Sequence, residues 1–149
     1  MNKRLNAIVL DIDGVILDNS VIFQKILDYK LVRDDMWNFF HANCNGEDTK
    51  FIGDNLRPII GNIPNTVVIL STARNEKCRE ETEARLDKEF FVYKELYMRE
   101  DGDRRPSPEV KRDHLLKIMK DYDVILFIDD DSSNCAIAKD LGILALKKV

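Results

Sequence analysis

"AIVLDIDGVILDN", residues 7–19, ends an apolar run on two aspartates one residue apart, Asp11 and Asp13, followed by Gly14. Like charges that close repel, and the end of a buried strand gives them little water to dissipate the repulsion. The run Ala7–Leu10 is continuously apolar, the pattern of a strand covered on both faces. Thr66–Leu70 and Val124–Ile128 repeat it. Tyr93–Met98 is a weaker strand pattern, and Ile143–Leu146 a short last one.

Helical patterns separate these runs. Asn75 is placed to cap a helix in which Cys78, Thr82, Leu86 and Phe90 recur every fourth residue as one stripe. Ser107-Pro108 reads as a cap with proline at the first helical position, opening a helix to about Lys120. Ser132 or Ser133 opens another, and Gly142 stands where a helix end wants a left-handed residue. Strands alternating with helices predict an α/β domain built on a parallel sheet. The stretch from Asp18 to Asn65 breaks the alternation. It carries helical patterns at about 21–29, 34–42 and 51–60, the last split by Pro58, and no clear strand. Residues 19–65 are therefore read as a small cap inserted into a single domain of residues 1–149.

Composition narrows the function. With 149 residues, 44% of them apolar, the chain can bury a core. Its formal net charge of −4 does not suit a nonspecific nucleic-acid binder, so any nucleic acid would meet a local basic patch. Cys44, Cys78 and Cys135 form no Cys-x-x-Cys pair, which argues for reduced thiols rather than zinc ligands or disulfides. A strand pattern beginning by Ala7 leaves no room for a signal peptide, and no apolar stretch approaches the ~20 residues of a membrane span. A cytoplasmic protein, of a bacterial or phage-infected cell, with no membrane association is expected; no protein partner is inferable.

Three predicted strands end in chemistry: Asp11-Ile12-Asp13-Gly14, Ser71-Thr72-Ala73-Arg74 and Asp129-Asp130-Asp131. In open parallel sheets the carboxyl ends of the strands line one edge, and ligands bind in the crevice there. Singly, each block has an ordinary explanation: a turn, a strand-end hydroxyl, acids at a helix N-terminus. Together they would gather four carboxylates that cannot all stay ionised and unpaired. A hard divalent cation with oxygen ligands resolves the crowding, and Mg²⁺ commonly bridges carboxylates to phosphate oxygens. Thr72 adds a hydroxyl for a phosphate oxygen, and Lys111 a positive charge from the start of its helix.

The blocks DIDGVILD, ILSTAR, the lysine of PEVKR and FIDDD resemble, in this order, motifs one to four of the haloacid dehalogenase-like (HAD) phosphatase superfamily. Receiver domains use similar residues, but there the acid pair leads and the phosphoacceptor comes later; here Asp-x-Asp leads and the double aspartate closes. The resemblance implies a Rossmann-like three-layer sandwich with a central parallel sheet and a small helical cap after the first strand. It implies Asp11 as nucleophile, forming an aspartyl-phosphate, and Asp13 as general acid and base. It further implies Mg²⁺ held by Asp11, the main-chain carbonyl of Asp13 and Asp129, with Asp130 assisting, and Thr72 and Lys111 on the phosphoryl group. Asp18 reads as a turn or cap acid.

"LYMREDGDRRPSPEVKRDHL", residues 96–115, is similar to the phosphatase half of polynucleotide kinase-phosphatases, and so is "DDMWNFFH", residues 34–41. That likeness implies Arg74 on the substrate phosphate and Asp103 and Arg105 in a substrate-side loop. The chain departs from the group at Ser107, where an acid often stands four residues before the lysine. No Gly-Lys-Ser or Gly-Lys-Thr is present, so no kinase activity is expected. The expected function is a Mg²⁺-dependent phosphomonoesterase, in the first place a polynucleotide 3′-phosphatase acting on a phosphorylated nucleic-acid end. The alternatives are a 5′- or 3′-nucleotidase on free nucleotides and a non-catalytic phosphate-binding module. Trp37 and Phe40 share a helix face, as cap packing or as a base-stacking pair. Arg99, Arg104, Arg105 and Arg112 are set among Glu100, Asp101 and Asp103, as backbone contacts or as a self-neutralised loop. His41 and His114 lack metal-ligand spacing, and His114 reads as a structural core histidine.

Overall fold

The computed structural model describes residues 3–149. In chain order it runs β1 (Asn6–Leu10), β2 (Leu17–Asp18), α1 (Ser20–Asp28), α2 (Arg33–Asn43), β3 (Lys50–Phe51), α3 (Arg57–Ile60), β4 (Thr66–Asn75), α4 (Arg79–Lys88), β5 (Glu95–Arg99), α5 (Ser107–Asp121), β6 (Asp123–Asp129), α6 (Ser132–Asp140) and β7 (Ala145–Lys147). Five strands form one parallel sheet in the order β5-β4-β1-β6-β7. The first strand is central, the next two build outward on one side and the last two on the other. The connection therefore reverses direction between β1 and β6, and the sheet's ligand crevice is expected there.

Alternate residues of β1 face two different cores. Ile8 and Leu10 pack with Leu70, Leu86, Phe91 and Ile128 on one face. Ala7 and Val9 pack with Leu115 and Ile118 of α5 and Cys135 and Ala138 of α6 on the other. This two-sided burial is why the strand has no polar alternation. The result is a Rossmann-like α/β sandwich. Among the described residues no helix is long and apolar enough to cross a membrane.

Between β1 and β4 the structure is more mixed than the helical patterns suggest. α1 and α2 pack on each other through Ile22, Ile26, Phe40 and Cys44, a cluster separate from the two main cores. The pattern at 51–60 is not one helix. Leu17–Asp18 pairs antiparallel with Lys50–Phe51, a 3₁₀ turn covers Gly53–Leu56, and α3 has only four residues, Pro58 being its second. Leu56, Phe51, Ile60 and Ile63 join the sheet's core rather than the α1–α2 cluster. A two-residue strand is too short to imprint a period on the sequence, so the ribbon leaves no pattern there.

Two helix boundaries differ from expectation. After Asn75, whose side chain accepts from Lys77 N at 2.9 Å, a 3₁₀ turn intervenes before α4 begins. Thr82 and Leu86 are buried as the stripe predicts, but Phe90 is 82% exposed. Its φ of +55° ends the helix: Phe90 N bonds to Asp87 O and Phe91 N to Leu86 O, so Phe91 takes the core position instead. Gly142, at φ +80°, closes α6 with the same pair of bonds, as expected. At the other boundary, Pro106 caps α5 and Ser107 is its first residue, with the Ser107 hydroxyl bonded to Asn134 rather than to the helix end.

Candidate active site

Register puts the acids together. Leu10 pairs with Leu70 on one side and Ile128 on the other, so the next residues, Asp11, Ser71 and Asp129, stand side by side where β1 ends. A register shift opposite Ala7/Ile8 moves β6 by one residue, from Ala7↔Val124 to Ile8↔Leu126. Without that bulge Asp11 would meet Ile128, and Asp129 would lie one residue away and on the other face. Gly14 completes the approach: at φ +82° it turns the chain, and any Cβ there would fall on the Asp130 carboxyl.

Asp11, Asp129 and Asp130 each bring a carboxylate oxygen to within 4.8 Å of the others, a spacing able to hold one metal ion. Lys111 Nζ closes the group from α5. It is fully buried, 2.9 Å from Asp11 Oδ1 and 3.3 Å from Asp129 Oδ2, and it also donates to the Ser71 carbonyl. Asp129 is held on both oxygens, by Asp131 N at 2.9 Å and Asn134 Nδ2 at 3.1 Å. Burial, then repulsion from Asp129 and Asp13, pushes Asp11 up to about 8 against the pull of Lys111. Burial and Asp129 push Asp130 up to about 6. Burial opposes the charge on Lys111, and Asp11 and Asp129 more than offset it, so its pKa is raised. Among the described residues, Asp11, Asp13, Asp129 and Asp130 are ion-paired only with Lys111 and Arg74. The shortfall of two charges is what a divalent ion would supply, so the donor set fits Mg²⁺.

The Asp13 side chain stands apart from this cluster and turns to Arg74, whose Nε and Nη2 donate to its two oxygens at 3.0 and 2.7 Å. Asn19 Nδ2 donates to it as well. Thr72 is fully buried within β4, which continues to Asn75, and its hydroxyl accepts from Arg74 N at 3.1 Å. Thr72 is not among the residues that line the cleft. Asp18 accepts from Ser20 N at 2.9 Å at the start of α1, in keeping with a cap acid.

Above the acids lies a cleft of about 1490 Å³, lined by α1 and α2 on one side and by the loop after β5 on the other. Asp103 and Arg105 are on that loop and are paired with each other at 2.8 Å; Arg105 also reaches Asp113 at 2.7 Å. Arg99 turns inward to the carbonyls of Ala73, Asp103 and Arg105 and so braces the loop rather than facing solvent. Arg104 is exposed and lies 3.7 Å from Asp34 of α2. Phe40 is buried under Arg74, with Phe23 stacked on it at 5.5 Å, whereas Trp37 stays half exposed at the cleft. His114 is a satisfied core residue, bonded to Ser71 Oγ at 2.8 Å and Met98 O at 3.1 Å. Asn19, Asn45 and Asn134 are site partners that carry no sequence signal, since a single polar side chain has no period to reveal its direction; Thr82 shows in the sequence only as part of the buried stripe of α4.

A model of the family described as the polynucleotide kinase PNKP phosphatase domain matches residues 5–148. Among solved structures, a chain of the Pnkp1/Rnl/Hen1 RNA repair complex is 20% identical with a TM-score of 0.75, the match covering 97% of this chain and 42% of that one. This chain thus spans less than half of that protein. The class C acid phosphatase from Bacillus anthracis with tungstate bound is 14% identical, with a TM-score of 0.64 and coverage of 99% and 68%. A HAD family enzyme from Bacteroides thetaiotaomicron, in a magnesium complex, is 18% identical, with a TM-score of 0.58 and coverage of 97% and 93%. Likeness at these identities speaks to the fold. A search of curated proteins found no match. The family match takes in all four strand-end and helix blocks, so the chain belongs to the polynucleotide kinase PNKP phosphatase domain family and is a HAD-type phosphatase.

Proposed function

We propose that the protein is a Mg²⁺-dependent phosphomonoesterase that removes the 3′-phosphate from polynucleotide ends through an aspartyl-phosphate. The observation that carries this reading is the meeting of three carboxylates within 4.8 Å, with Lys111 Nζ 2.9 Å from the oxygen of Asp11. Asp11 attacks phosphorus; the Asp11–phosphorus bond forms as the phosphorus–O3′ bond breaks, and Asp13 gives its proton to the leaving alkoxide. Asp13 then takes a proton from water, which attacks the aspartyl-phosphate and releases inorganic phosphate and free Asp11. Lys111 stabilises the charge on Asp11 and the transferring group. Held by Asp11, Asp129 and the Asp13 carbonyl, with Asp130 assisting, Mg²⁺ would neutralise the phosphoryl oxygens.

The open cleft supports a large substrate, since pockets built for small molecules run to about 300–1,000 Å³ and this one exceeds that range. Family membership and the likeness to a chain of an RNA repair complex point the same way. The test is phosphate release from a 3′-phosphorylated oligonucleotide, a 3′-mononucleotide and a 5′-mononucleotide, with Mg²⁺ or with chelator. Turnover of the oligonucleotide above both mononucleotides, lost on chelation, is expected. Equal or faster turnover of a mononucleotide rejects the polynucleotide assignment in favour of a nucleotidase. No release from any substrate with Mg²⁺ rejects the phosphatase reading.

A further inference from the structure

Arg74 is placed where a substrate-phosphate ligand is expected, yet its side chain is fully buried. A guanidinium has five N–H donors. Here Nε and one Nη2 hydrogen serve Asp13, the other Nη2 hydrogen serves the Cys44 carbonyl at 3.1 Å, and Nη1 serves Asn45 Oδ1 at 2.6 Å and Thr82 Oγ1 at 3.2 Å. Every donor has a protein acceptor. A phosphate could recruit Arg74 only by breaking one of these buried bonds, and an acceptor left unsatisfied in such a place is costly.

The acceptors come from three parts of the chain. Asp13 follows β1, Cys44 and Asn45 follow α2 of the cap, and Thr82 is on α4 beneath the sheet's core face. The Phe40 ring covers the guanidinium at 6.0 Å, which keeps water from it. The bidentate pair fixes the plane of the Asp13 carboxyl, because two parallel N–H donors allow one orientation. The Asp13 oxygens are thus set by a residue that is itself set by the cap.

We infer that Arg74 is a positioning residue for Asp13 rather than a ligand of the substrate phosphate, and that it ties the placement of that carboxyl to the cap through Cys44 and Asn45. This rests on Asp13 being the general acid of the reaction proposed above. It predicts a dependence on the leaving group. An alkoxide leaving from a nucleic-acid 3′ end needs a proton as its bond to phosphorus breaks; p-nitrophenolate does not. The ratio kcat/KM reports the steps through that departure, so it isolates the acid role of Asp13 from its later role as base.

The experiment measures kcat/KM of the full chain and of Arg74→Lys on a 3′-phosphorylated oligonucleotide and on p-nitrophenyl phosphate, with inorganic phosphate as inhibitor. The loss on the oligonucleotide should exceed the loss on the aryl ester by about tenfold or more, since a general acid contributes roughly 10²–10⁴-fold. Inhibition by inorganic phosphate should be little changed. Equal losses on the two esters, or strongly weakened phosphate inhibition, overturn the inference and make Arg74 a phosphate ligand. Asn45→Ala removes one acceptor without touching the Arg74–Asp13 pair, and it decides the question should Arg74→Lys fail to fold. It should show the same split in smaller degree, and a uniform effect on both esters overturns the link to the cap. A wild-type protein that hydrolyses neither ester sinks the phosphatase reading and this inference with it.

Discussion

Lys111 and Asp11 stand 100 residues apart in sequence and 2.9 Å apart in space, with the lysine side chain fully buried. Neither charge is tolerable there without the other, because a lone buried ion costs far more than a paired one. Lys111→Met should therefore act twice. Removing the charge from the reacting group should lower kcat on the order of 10²-fold or more. It also leaves Asp11 and Asp129 facing each other uncompensated, at a cost of about 3–5 kcal/mol. Urea unfolding and phosphate release check the two effects separately. A variant with near-normal turnover would show that Lys111 is structural only.

Asp11→Asn should have the opposite profile. In the proposed mechanism the substitution removes the attacking oxygen, so no turnover should remain and no phosphorylated protein should accumulate. It also removes one of several crowded carboxylates, while Lys111 keeps Asp129 at 3.3 Å. In metal-free buffer near pH 7 the variant should unfold at a higher temperature than the wild type. Residual activity above about 1% would move the nucleophile elsewhere, since the attacking group of a covalent mechanism has no substitute in an amide.

Gly14→Ala combines backbone strain with a collision. At φ +82° an alanine costs about 1–3 kcal/mol, and its Cβ would displace the Asp130 carboxyl. Gly142, at φ +80°, has open space around the same atom and lies away from the acids. Both variants should lose stability, but only Gly14→Ala should need more Mg²⁺ for half-maximal activity. Thermal unfolding and a Mg²⁺ titration of each variant make the comparison. An unchanged titration for Gly14→Ala would separate Asp130 from the metal.

How far the sequence could be read follows from what leaves a pattern in it. Two-sided burial writes continuous apolar runs, so β1, β4 and β6 are legible, and their carboxyl ends carry Asp11, Thr72 and Asp129 in plain view. The β6 bulge that aligns Asp129 with Asp11 leaves Ile125 unpaired and has no residue signature. The β2–β3 ribbon is two residues long on each side. Arg74 is recognisable as a site residue, but its engagement with Asp13, Asn45 and Thr82 depends on where the loop after α2 and helix α4 come to lie. The basic cluster after β5 illustrates the same limit: its composition is visible, while the inward turn of Arg99 and the Arg105–Asp103 pairing appear only in three dimensions.

His114 should make stability depend on pH. Burial, with the nearby Lys111 charge adding to it, lowers its pKa from 6.5 to about 4, against the hydrogen bond to Met98 O. Between those values the unfolded chain binds a proton that the folded chain does not, so stability rises with pH and falls on acidification. The loss begins near pH 6.5 and is complete below about pH 4, at roughly 3 kcal/mol in all. His41 is lowered by burial and by Arg74, and contributes with the same sign. His114→Gln, compared with wild type by urea unfolding at pH 7 and pH 5, should lose about 2 kcal/mol less between the two. Parallel curves would mean that His114 titrates alike in both states.

The three thiols should differ in reactivity. Cys78 lines the cleft and is partly exposed, whereas Cys44 and Cys135 are buried. The neighbouring Cys44 thiol, opposed by burial and reinforced by Thr82 and the Arg74 charge, lowers Cys78 to about 7. The interaction with Cys78 and then burial push Cys44 upward, and burial does the same to Cys135. At neutral pH Cys78 should therefore carry a roughly tenfold larger thiolate fraction than a free cysteine. Iodoacetamide at pH 7 should modify Cys78 first, as read by peptide mass spectrometry. The adduct should block phosphate release because it fills the cleft beside Arg74. A 3′-phosphorylated oligonucleotide should slow the labelling. First modification at Cys44 or Cys135 would show that the thiol pair shares its proton the other way, or that the helices over it open more readily than their packing suggests.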